Sequence, residues 1–241
     1  MCNKDLDRPR SSTVHVPDGF LDAPTSLATA VVAGGVVAAT IVRARRELDD
    51  RAAPLAGLVA VFVFAAQMLN FPVGAGTSGH LIGAALAAVL VGPVTATLCL
   101  TVVLAVQALL FADGGVSALG TNVLLMGVVA VWAGWAVFRM VLAVLPRRLS
   151  SVSLAAGTGA LLSVPAVALA FVGLYAVGGT VPIPLDTLAT AMGAWHLVIG
   201  VGEALITLLA VSSILAARPD LVHGARGRLP VLELRTPEVV A

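Results

Sequence analysis

The chain has 241 residues, of which 59% are hydrophobic and only 11% are charged, and its formal net charge at pH 7 is +1. A soluble domain carries about a quarter charged residues. The composition therefore excludes a water-soluble globular protein and predicts an all-α, polytopic membrane protein. The near-zero net charge gives no indication of nucleic-acid binding.

Seven apolar runs predict about seven transmembrane helices, separated by loops that are either charged or rich in glycine and proline. The third run is short for a full crossing, and Gly92-Pro93 separates it from the fourth. After the last run we expect a polar, proline-broken tail to be loosely ordered. The runs cover about residues 24–43, 54–69, 80–91, 93–111, 122–145, 152–177 and 192–216.

The arginines predict the orientation of these helices. They cluster after the first, fifth and seventh runs, and cytoplasmic loops are enriched in Lys and Arg. This places the N-terminus outside and the C-terminus in the cytoplasm, which is the parity that seven crossings require. The three clusters are Arg43, Arg45, Arg46 and Arg51; Arg139, Arg147 and Arg148; and Arg218, Arg226 and Arg228.

The same topology predicts that three of the four histidines, His15, His80 and His196, lie at the outer face. Three nearly uncharged loops, 70–79, 112–121 and 178–186, are predicted on that side too. His80 opens a predicted helix, where the helix dipole disfavours the cationic imidazole. The neutral imidazole is the form that binds metals.

Glu203 is a charged residue within an apolar run, and such residues are costly enough to suggest a function. It follows His196 by two helical turns on the same face. A structural carboxylate that hydrogen-bonds neighbouring helices is the alternative. His196, next to Trp195, also fits an interfacial aromatic belt.

Two histidines without a cysteine or carboxylate cluster make a poor zinc site. Nitrogen ligands alone suit nickel or cupric ions in planar geometry, where a chain amine and a deprotonated amide nitrogen complete the set. That arrangement requires a free N-terminus at or next to a ligand histidine, whereas His15 is far from Met1.

Five motifs together resemble the CbiM/NikM family, the substrate-capture (S) components of energy-coupling factor cobalt and nickel transporters. The segment Val14-His15-Val16-Pro17-Asp18-Gly19-Phe20-Leu21 is similar to the start of those proteins, Met-His-Ile-Pro-Asp-Gly-Phe-Leu. The other four motifs are residues 76–93, 107–115, 119–122 and 195–207. Together the motifs cover the chain from Val14 to about residue 216.

The resemblance implies a seven-helix subunit with an extracellular site for Ni²⁺ or Co²⁺ as the transported substrate. In the family the ion is bound by the terminal methionine amine, the amide nitrogen and imidazole of the next histidine, and a second histidine after a glycine-rich loop. These positions correspond here to Val14, His15 and His80. Metal-bound histidines usually donate their other N–H to an oxygen, and the candidates by location are Asp18, Thr77, Ser78, Asp113 and Asn122. His196 and Glu203 are candidates for a structural or translocation role.

Val14 departs from the family pattern, because a methionine is expected before the first ligand histidine. We hypothesise that a GUG codon, read internally as valine, initiates translation there as methionine. Residues 1–13, which lack the apolar core of a secretory signal peptide, would then be a leader or a misassigned start. The remaining chain divides into a membrane domain, 14–216, and a cytoplasmic tail, 217–241.

The sequence thus predicts a non-enzymatic, multi-pass transporter subunit in a prokaryotic plasma membrane. It has no Walker motif, so cytoplasmic ATPase subunits are expected partners, with a membrane scaffold (T) subunit and a small accessory membrane subunit. Two alternatives remain: a capture subunit for another small substrate such as a vitamin, and a histidine-ligated membrane redox protein or enzyme using His80 and His196. The 5% aromatic content favours a small ion over a vitamin. Neighbouring genes for cobalamin biosynthesis would indicate cobalt.

Overall fold

The computed structural model describes residues 15–47, 52–69, 71–74 and 77–229, and the structural statements below concern these residues. Most of them lie in helices, because apolar segments in lipid must pair their own amide and carbonyl groups. Val123–Ala130 within the fifth helix is π-helical. The helices are α1 (Ala23–Glu47), α2 (Ala52–Gln67), α3 (Ala84–Val91), α4 (Pro93–Leu110), α5 (Leu119–Val144), α6 (Leu149–Gly178) and α7 (Leu185–Ala217).

Each predicted apolar run corresponds to one of these helices, but only five are long and apolar enough to cross a membrane: α1, α4, α5, α6 and α7. Helix α2 has 16 residues and α3 has eight. At 1.5 Å per residue, α3 is about 12 Å long, less than half of the roughly 30 Å hydrocarbon core. Seven helices among the described residues thus correspond to the seven predicted runs, whereas the predicted seven membrane crossings are not confirmed.

The predicted 70–79 loop contains a small hairpin instead. Strands β1 (Phe71–Gly74) and β2 (Thr77–Gly79) pair antiparallel, with Phe71 opposite Gly79 and Pro72 opposite Ser78. The fold is helical apart from this hairpin in the part of the chain that the structure describes. Residues 80–83 then lead into α3, whose residues from Ala84 to Leu90 are all buried. Helix α3 contacts α2, α4, α5, α6 and α7, so it forms the centre of the bundle.

Two glycines set the short length of α3. Gly83 and Gly92 flank the helix with φ of 70° and 85°, in the left-handed region that glycine adopts at little cost. Pro93 then begins α4. Proline is tolerated there because the first residue of a helix does not donate an intrahelical hydrogen bond. The predicted break at Gly92-Pro93 is confirmed. The prediction that α3 begins at His80 is wrong, because α3 begins at Ala84.

The helices α1, α5 and α7 begin at the same end of the bundle. The hydroxyl groups of Thr29 in α1 and Thr121 in α5 form a hydrogen bond of 2.7 Å. Leu21, just before α1, forms an antiparallel bridge with Gly179, at the start of the loop from α6 to α7. We call this end, which comprises residues 15–22, 111–118 and 179–184, the site end.

The opposite end carries the arginines and is here called the arginine end. The Arg228 guanidinium donates hydrogen bonds to the main-chain carbonyls of Leu142, Leu145 and Pro146. The arginine cluster after α7 therefore meets the cluster after α5. This pairing shows that α5 and α7 finish at the same end of the bundle. Arg51, from the first cluster, lies outside the described residues.

The tail is more ordered than the sequence predicts. Two 3₁₀ turns, Pro219–Leu221 and His223–Arg228, follow α7, and Val222 and Ala225 are completely buried. The ring of His223 lies 5.6 Å, centroid to centroid, from Trp135. The prediction of a loose tail is therefore wrong for residues 219–228, because these apolar side chains pack under the bundle. Residues 230–241 lie outside the described part, as do residues 1–14.

Candidate functional site

The two predicted ligand histidines come together at the site end. The ring centroids of His15 and His80 are 4.7 Å apart, with the ring planes inclined at 59°. Both residues are buried, with exposed fractions of 5% and 8%. Val14, the third predicted ligand position, lies outside the described residues. The structure thus joins two segments that are distant in sequence into one histidine pair.

The environment of His80 defines its protonation state. Its Nδ1 lies 2.9 Å from the carbonyl oxygen of Leu81, and a carbonyl only accepts, so Nδ1 carries the proton and Nε2 keeps its lone pair. Burial, reinforced by the neighbouring His15, lowers the pKa of His80 to about 3. The ring is therefore neutral at pH 7, which is the state that binds a metal ion.

The imidazole of His15 is buried and forms no hydrogen bond with the described residues. Among the described residues neither of its ring nitrogens has a hydrogen-bond partner. The nearest acidic group is Asp113, whose Oδ1 lies 3.4 Å from His15 Nδ1, an electrostatic contact too long for a strong hydrogen bond. Buried polar atoms are nearly always paired. A buried imidazole with unused nitrogens, in contact with a second one, is a donor set suited to a borderline transition-metal ion.

Asn122 fixes the main chain next to His15. Its Oδ1 accepts a hydrogen bond from Val16 N–H at 3.0 Å, and its Nδ2 donates to Val16 O at 3.2 Å. Gly115 N–H donates to the same carbonyl at 3.0 Å. Asn122, which is 2% exposed, thereby holds the residue that follows the histidine rather than the histidine itself.

Asp18 ties the same segment to the loop before α5. Its Oδ1 accepts from the Ser117 hydroxyl at 2.6 Å and from the Ser117 N–H at 2.7 Å. The Ser117 side-chain bond, with help from nearby main-chain N–H groups, holds the pKa of Asp18 below its usual value. Asp18 therefore binds a loop and not a histidine. Of the other predicted contacts, Thr77 and Ser78 lie in β2, and their side chains lie outside the described part of the structure.

The predicted run 192–216 puts His196 near the start of its helix. This prediction is wrong, because α7 begins earlier, at Leu185. Eleven residues, or about 16 Å of helix, separate His196 from that start. The residue is only 9% exposed, whereas the neighbouring Trp195 is 41% exposed. Its Nδ1 lies 2.8 Å from the carbonyl oxygen of Met192. This burial argues against an interfacial position and gives His196 a place inside the bundle.

Glu203 anchors the main chain that leads into α3. Its carboxylate accepts hydrogen bonds from the N–H groups of Ile82 and Gly83, the latter at 3.1 and 3.2 Å to the two oxygens. The residue is 3% exposed. Of the two roles predicted for Glu203, these contacts favour the structural carboxylate. Its partners are backbone groups, which no side-chain pattern in the sequence reveals.

Gln67 is a residue at the site that the sequence prediction missed. It is fully buried at the end of α2, and its Nε2 donates to Ile82 O at 2.9 Å. The signal for it was a lone amide side chain at the end of an otherwise apolar run. Together, Gln67 and Glu203 hold both main-chain polar groups of Ile82.

The side chains do not complete a metal site by themselves. Within the described ranges, no group of three or more His, Cys, Asp and Glu side chains is arranged to hold an ion. His15 and His80 supply two imidazoles, so main-chain nitrogens or residues outside these ranges would have to supply the other ligands.

Known proteins match this chain over most of its length. Residues 15–221 match the family profile described as CbiM, cobalt uptake substrate-specific transmembrane region. A Haloquadratum walsbyi protein provisionally named as a metal transport protein is 42% identical over 87% of this chain and 93% of its own length. An Archaeoglobus fulgidus protein provisionally named as the fused nickel transport protein NikMN is 37% identical over 90% of this chain and 71% of its own.

A solved structure has the same fold. The crystal structure of a truncated transition metal transporter superposes with a TM-score of 0.78 at 32% sequence identity, covering 84% of this chain and 98% of that one. The family match, residues 15–221, contains both site histidines. The chain belongs to the CbiM family of cobalt uptake substrate-specific transmembrane proteins.

Proposed function

We propose that this chain is the substrate-capture subunit of an energy-coupling factor transporter that imports Ni²⁺ or Co²⁺ across a prokaryotic plasma membrane. Membership of the CbiM family makes it a membrane component of cobalt or nickel transport. The observation that carries the finer proposal is the buried contact between His15 and His80, with ring centroids 4.7 Å apart. The unpartnered nitrogens of His15 among the described residues support a role for that ring in binding the ion.

We propose four nitrogen ligands in a plane: the His15 imidazole and amide nitrogen, the His80 imidazole, and the amine of residue 14 as an initiator methionine. Such a set suits Ni²⁺ and is compatible with Co²⁺. The Asn122 bonds to Val16 support it, because they fix the chain on the other side of His15. Mass spectrometry of the mature N-terminus tests the amine ligand, which requires methionine at residue 14. An intact peptide containing residues 1–13 would contradict it.

The proposed import direction places the site end outside and the arginine end in the cytoplasm, following the enrichment of Lys and Arg in cytoplasmic loops. Energy then comes from cytoplasmic ATPase subunits acting through a membrane scaffold subunit, with a small accessory membrane subunit as a further partner. This chain captures the ion and performs no chemistry on it.

Titration of the purified protein with Ni²⁺ and with Co²⁺ tests the proposal. The wild type should bind one ion per chain, and the tighter ion identifies the substrate. His15→Ala and His80→Ala should each lower the affinity by at least about 100-fold, since removal of a ligand exceeds the 10- to 100-fold loss typical of its supporting contacts. His223→Ala, at the arginine end, is the matched control and should bind normally. Wild-type affinity in either site variant rules out this site.

The redox alternative makes a different prediction. The His80 ring, one of the two expected haem ligands, is in contact with His15 at a centroid distance of 4.7 Å, and this contact occupies space that a porphyrin bound to His80 would need. The purified protein should therefore show no haem absorption, and a Soret band that depends on His80 and His196 would favour the redox alternative instead.

A further inference from the structure

We propose that Glu203 is a positioning residue, which sets the location of the His80 imidazole by clamping the turn from Leu81 to Gly83. The inference rests on the proposed role of His80 as a metal ligand. It assigns to Glu203 a defined task at the same site, although its carboxylate contacts neither histidine through a hydrogen bond described here.

The clamp consists of hydrogen bonds from two helices to two adjacent residues of the turn. From α7, the Glu203 carboxylate accepts the N–H groups of Ile82 and Gly83. From α2, the Gln67 side-chain amide donates to Ile82 O at 2.9 Å. The amide and the carbonyl of Ile82 are thus both held by buried side chains, so the turn is fixed from two sides.

The imidazole is attached to the same turn. His80 Nδ1 donates to Leu81 O at 2.9 Å, and the N–H of the same Leu81–Ile82 peptide unit donates to Glu203, so a single peptide unit joins the ring to Glu203. That bond also leaves Nε2 as the nitrogen with a lone pair. A shift of the Leu81–Gly83 turn would therefore move or rotate the imidazole relative to His15.

The clamp is needed because the turn enters the bundle where water is scarce. The first N–H groups of a helix have no intrahelical acceptor, and an unpaired buried N–H costs on the order of 1–3 kcal/mol. Glu203 accepts these groups at the start of α3 and also interacts favourably with the positive end of the helix dipole. Without an acceptor at this position, we expect the turn to move toward another one.

The surroundings of Glu203 make this test practicable. A crevice of about 280 Å³ lies between α2 and α7, with Glu203 and Gly83 in its lining and Phe62, Leu69 and Ile206 at its apolar walls. Truncation of Glu203 would enlarge an existing crevice rather than create a sealed void. The variant can therefore keep its fold while the turn loses its acceptor.

The clamp can be separated from a role in ion translocation. Hydrogen-bond acceptance requires an oxygen, which the amide of glutamine also provides. Binding an ion during its passage through the bundle would require the negatively charged carboxylate itself. Glu203→Gln should therefore restore what Glu203→Ala loses if the residue positions the turn, and should fail to restore it if the residue acts as a ligand.

The experiment uses the full chain in detergent and measures Ni²⁺ affinity, the visible absorption of bound Ni²⁺, and hydrogen exchange of residues 80–84 without metal. Glu203→Ala should weaken binding by about 10- to 100-fold, change the absorption band and speed exchange of these amides. Glu203→Gln should stay within about threefold of wild type, since it keeps an acceptor. Thr207→Val, one turn further along the crevice, is the control and should behave as wild type.

Wild-type affinity and exchange in Glu203→Ala would overturn the proposal, as would equal losses in the alanine and glutamine variants. If Glu203→Ala does not fold, Gln67→Leu provides the test instead. The clamp predicts that this variant exchanges the amide hydrogens of residues 80–84 faster and binds Ni²⁺ about fivefold more weakly. Unchanged exchange and affinity would reject the clamp. A wrong proposed function can be distinguished from a wrong clamp. If His80 is not a metal ligand, His80→Ala keeps the wild-type Ni²⁺ affinity, while hydrogen exchange of residues 80–84 still tests the clamp.

Discussion

Asp113 is an acidic residue in contact with His15, and we expect its charge to favour ion binding there. Its Oδ1 lies 3.4 Å from His15 Nδ1, and its own N–H donates to Gln107 O at 3.0 Å, which holds its main chain at the end of α4. A carboxylate beside a ligand imidazole attracts a bound divalent cation through its negative charge. The His15 amide nitrogen and imidazole can bind one ion together only through Nδ1, so we expect Asp113 to act through this charge and not through a hydrogen bond to Nδ1.

Replacing Asp113 with asparagine should weaken Ni²⁺ or Co²⁺ binding by about 10-fold, because the amide keeps the shape but loses the charge. The measurement is the same metal titration as for the histidine variants. Asp186→Asn is the matched control, since Asp186 is exposed and hydrogen-bonds only within the first turn of α7 in the described contacts. Asp113→Asn with the affinity of the control would show that the Asp113 charge does not contribute to ion binding.

The sequence was informative about residues that supply chemistry and uninformative about residues that hold them. His15 and His80 are identifiable because their flanking motifs are distinctive and because topology brings both to one end. The partners of Glu203 are N–H groups of Ile82 and Gly83, and every residue except proline has such a group. Only the path of the chain shows which of them lie against α7, and that path is not encoded in a local pattern.

Among the connecting elements, the loop between α4 and α5 approaches His15 most closely, and Gly114 is the residue that permits it. Gly114 has φ of 92°, a region that residues with a Cβ rarely adopt. A Cβ on Gly114 would lie 2.8 Å from His15 Cβ and 3.3 Å from Asn122 Nδ2. The close approach therefore depends on the absence of a side chain.

Gly114→Ala should consequently weaken metal binding by about 10-fold or more, since backbone strain of roughly 1–3 kcal/mol would be relieved by displacing His15. Metal titration and thermal unfolding measure the two consequences. Gly193→Ala is the matched control, because a Cβ there meets no atom within 4 Å and alanine suits a helix interior. If Gly114→Ala binds metal and unfolds like Gly193→Ala, the loop is not fixed against His15 in solution.

Helix α3 shows why hydropathy predicted which segments lie in the membrane domain but not where each helix begins and ends. The run 80–91 is apolar throughout, so it predicts a membrane segment without saying where the helix begins. Gly83 and Gly92, with φ of 70° and 85°, restrict the helix to eight residues. The preceding residues enter the bundle as non-helical chain, which is tolerated at membrane depth only where protein surrounds and satisfies it. Glu203 and Gln67 provide that satisfaction.

At the scale of the whole molecule, the bundle has two dissimilar ends. At the site end, the segment from His15 to Leu21 is joined to the loops before α5 and α7 through Asp18–Ser117 and Leu21–Gly179 contacts. At the arginine end, the tail packs under α3 and Arg228 binds the carbonyls at the end of α5. The positive-inside rule uses only charges and therefore predicted the separation of the ends, whereas it could not predict that the tail is folded.

Orientation is the property of the whole molecule on which import depends, and cysteine labelling measures it directly. Val116 is exposed at the site end, and Ser150 is exposed in the first turn of α6 at the arginine end. In a background carrying Cys2→Ser and Cys99→Ala, a membrane-impermeant maleimide applied to intact cells should label Val116→Cys. Ser150→Cys should react only after permeabilisation, because the arginine-rich end is expected in the cytoplasm. The two variants control for each other, since each site is exposed in the folded chain. The reverse pattern would place the histidine pair on the cytoplasmic side, where it could not capture an ion for import.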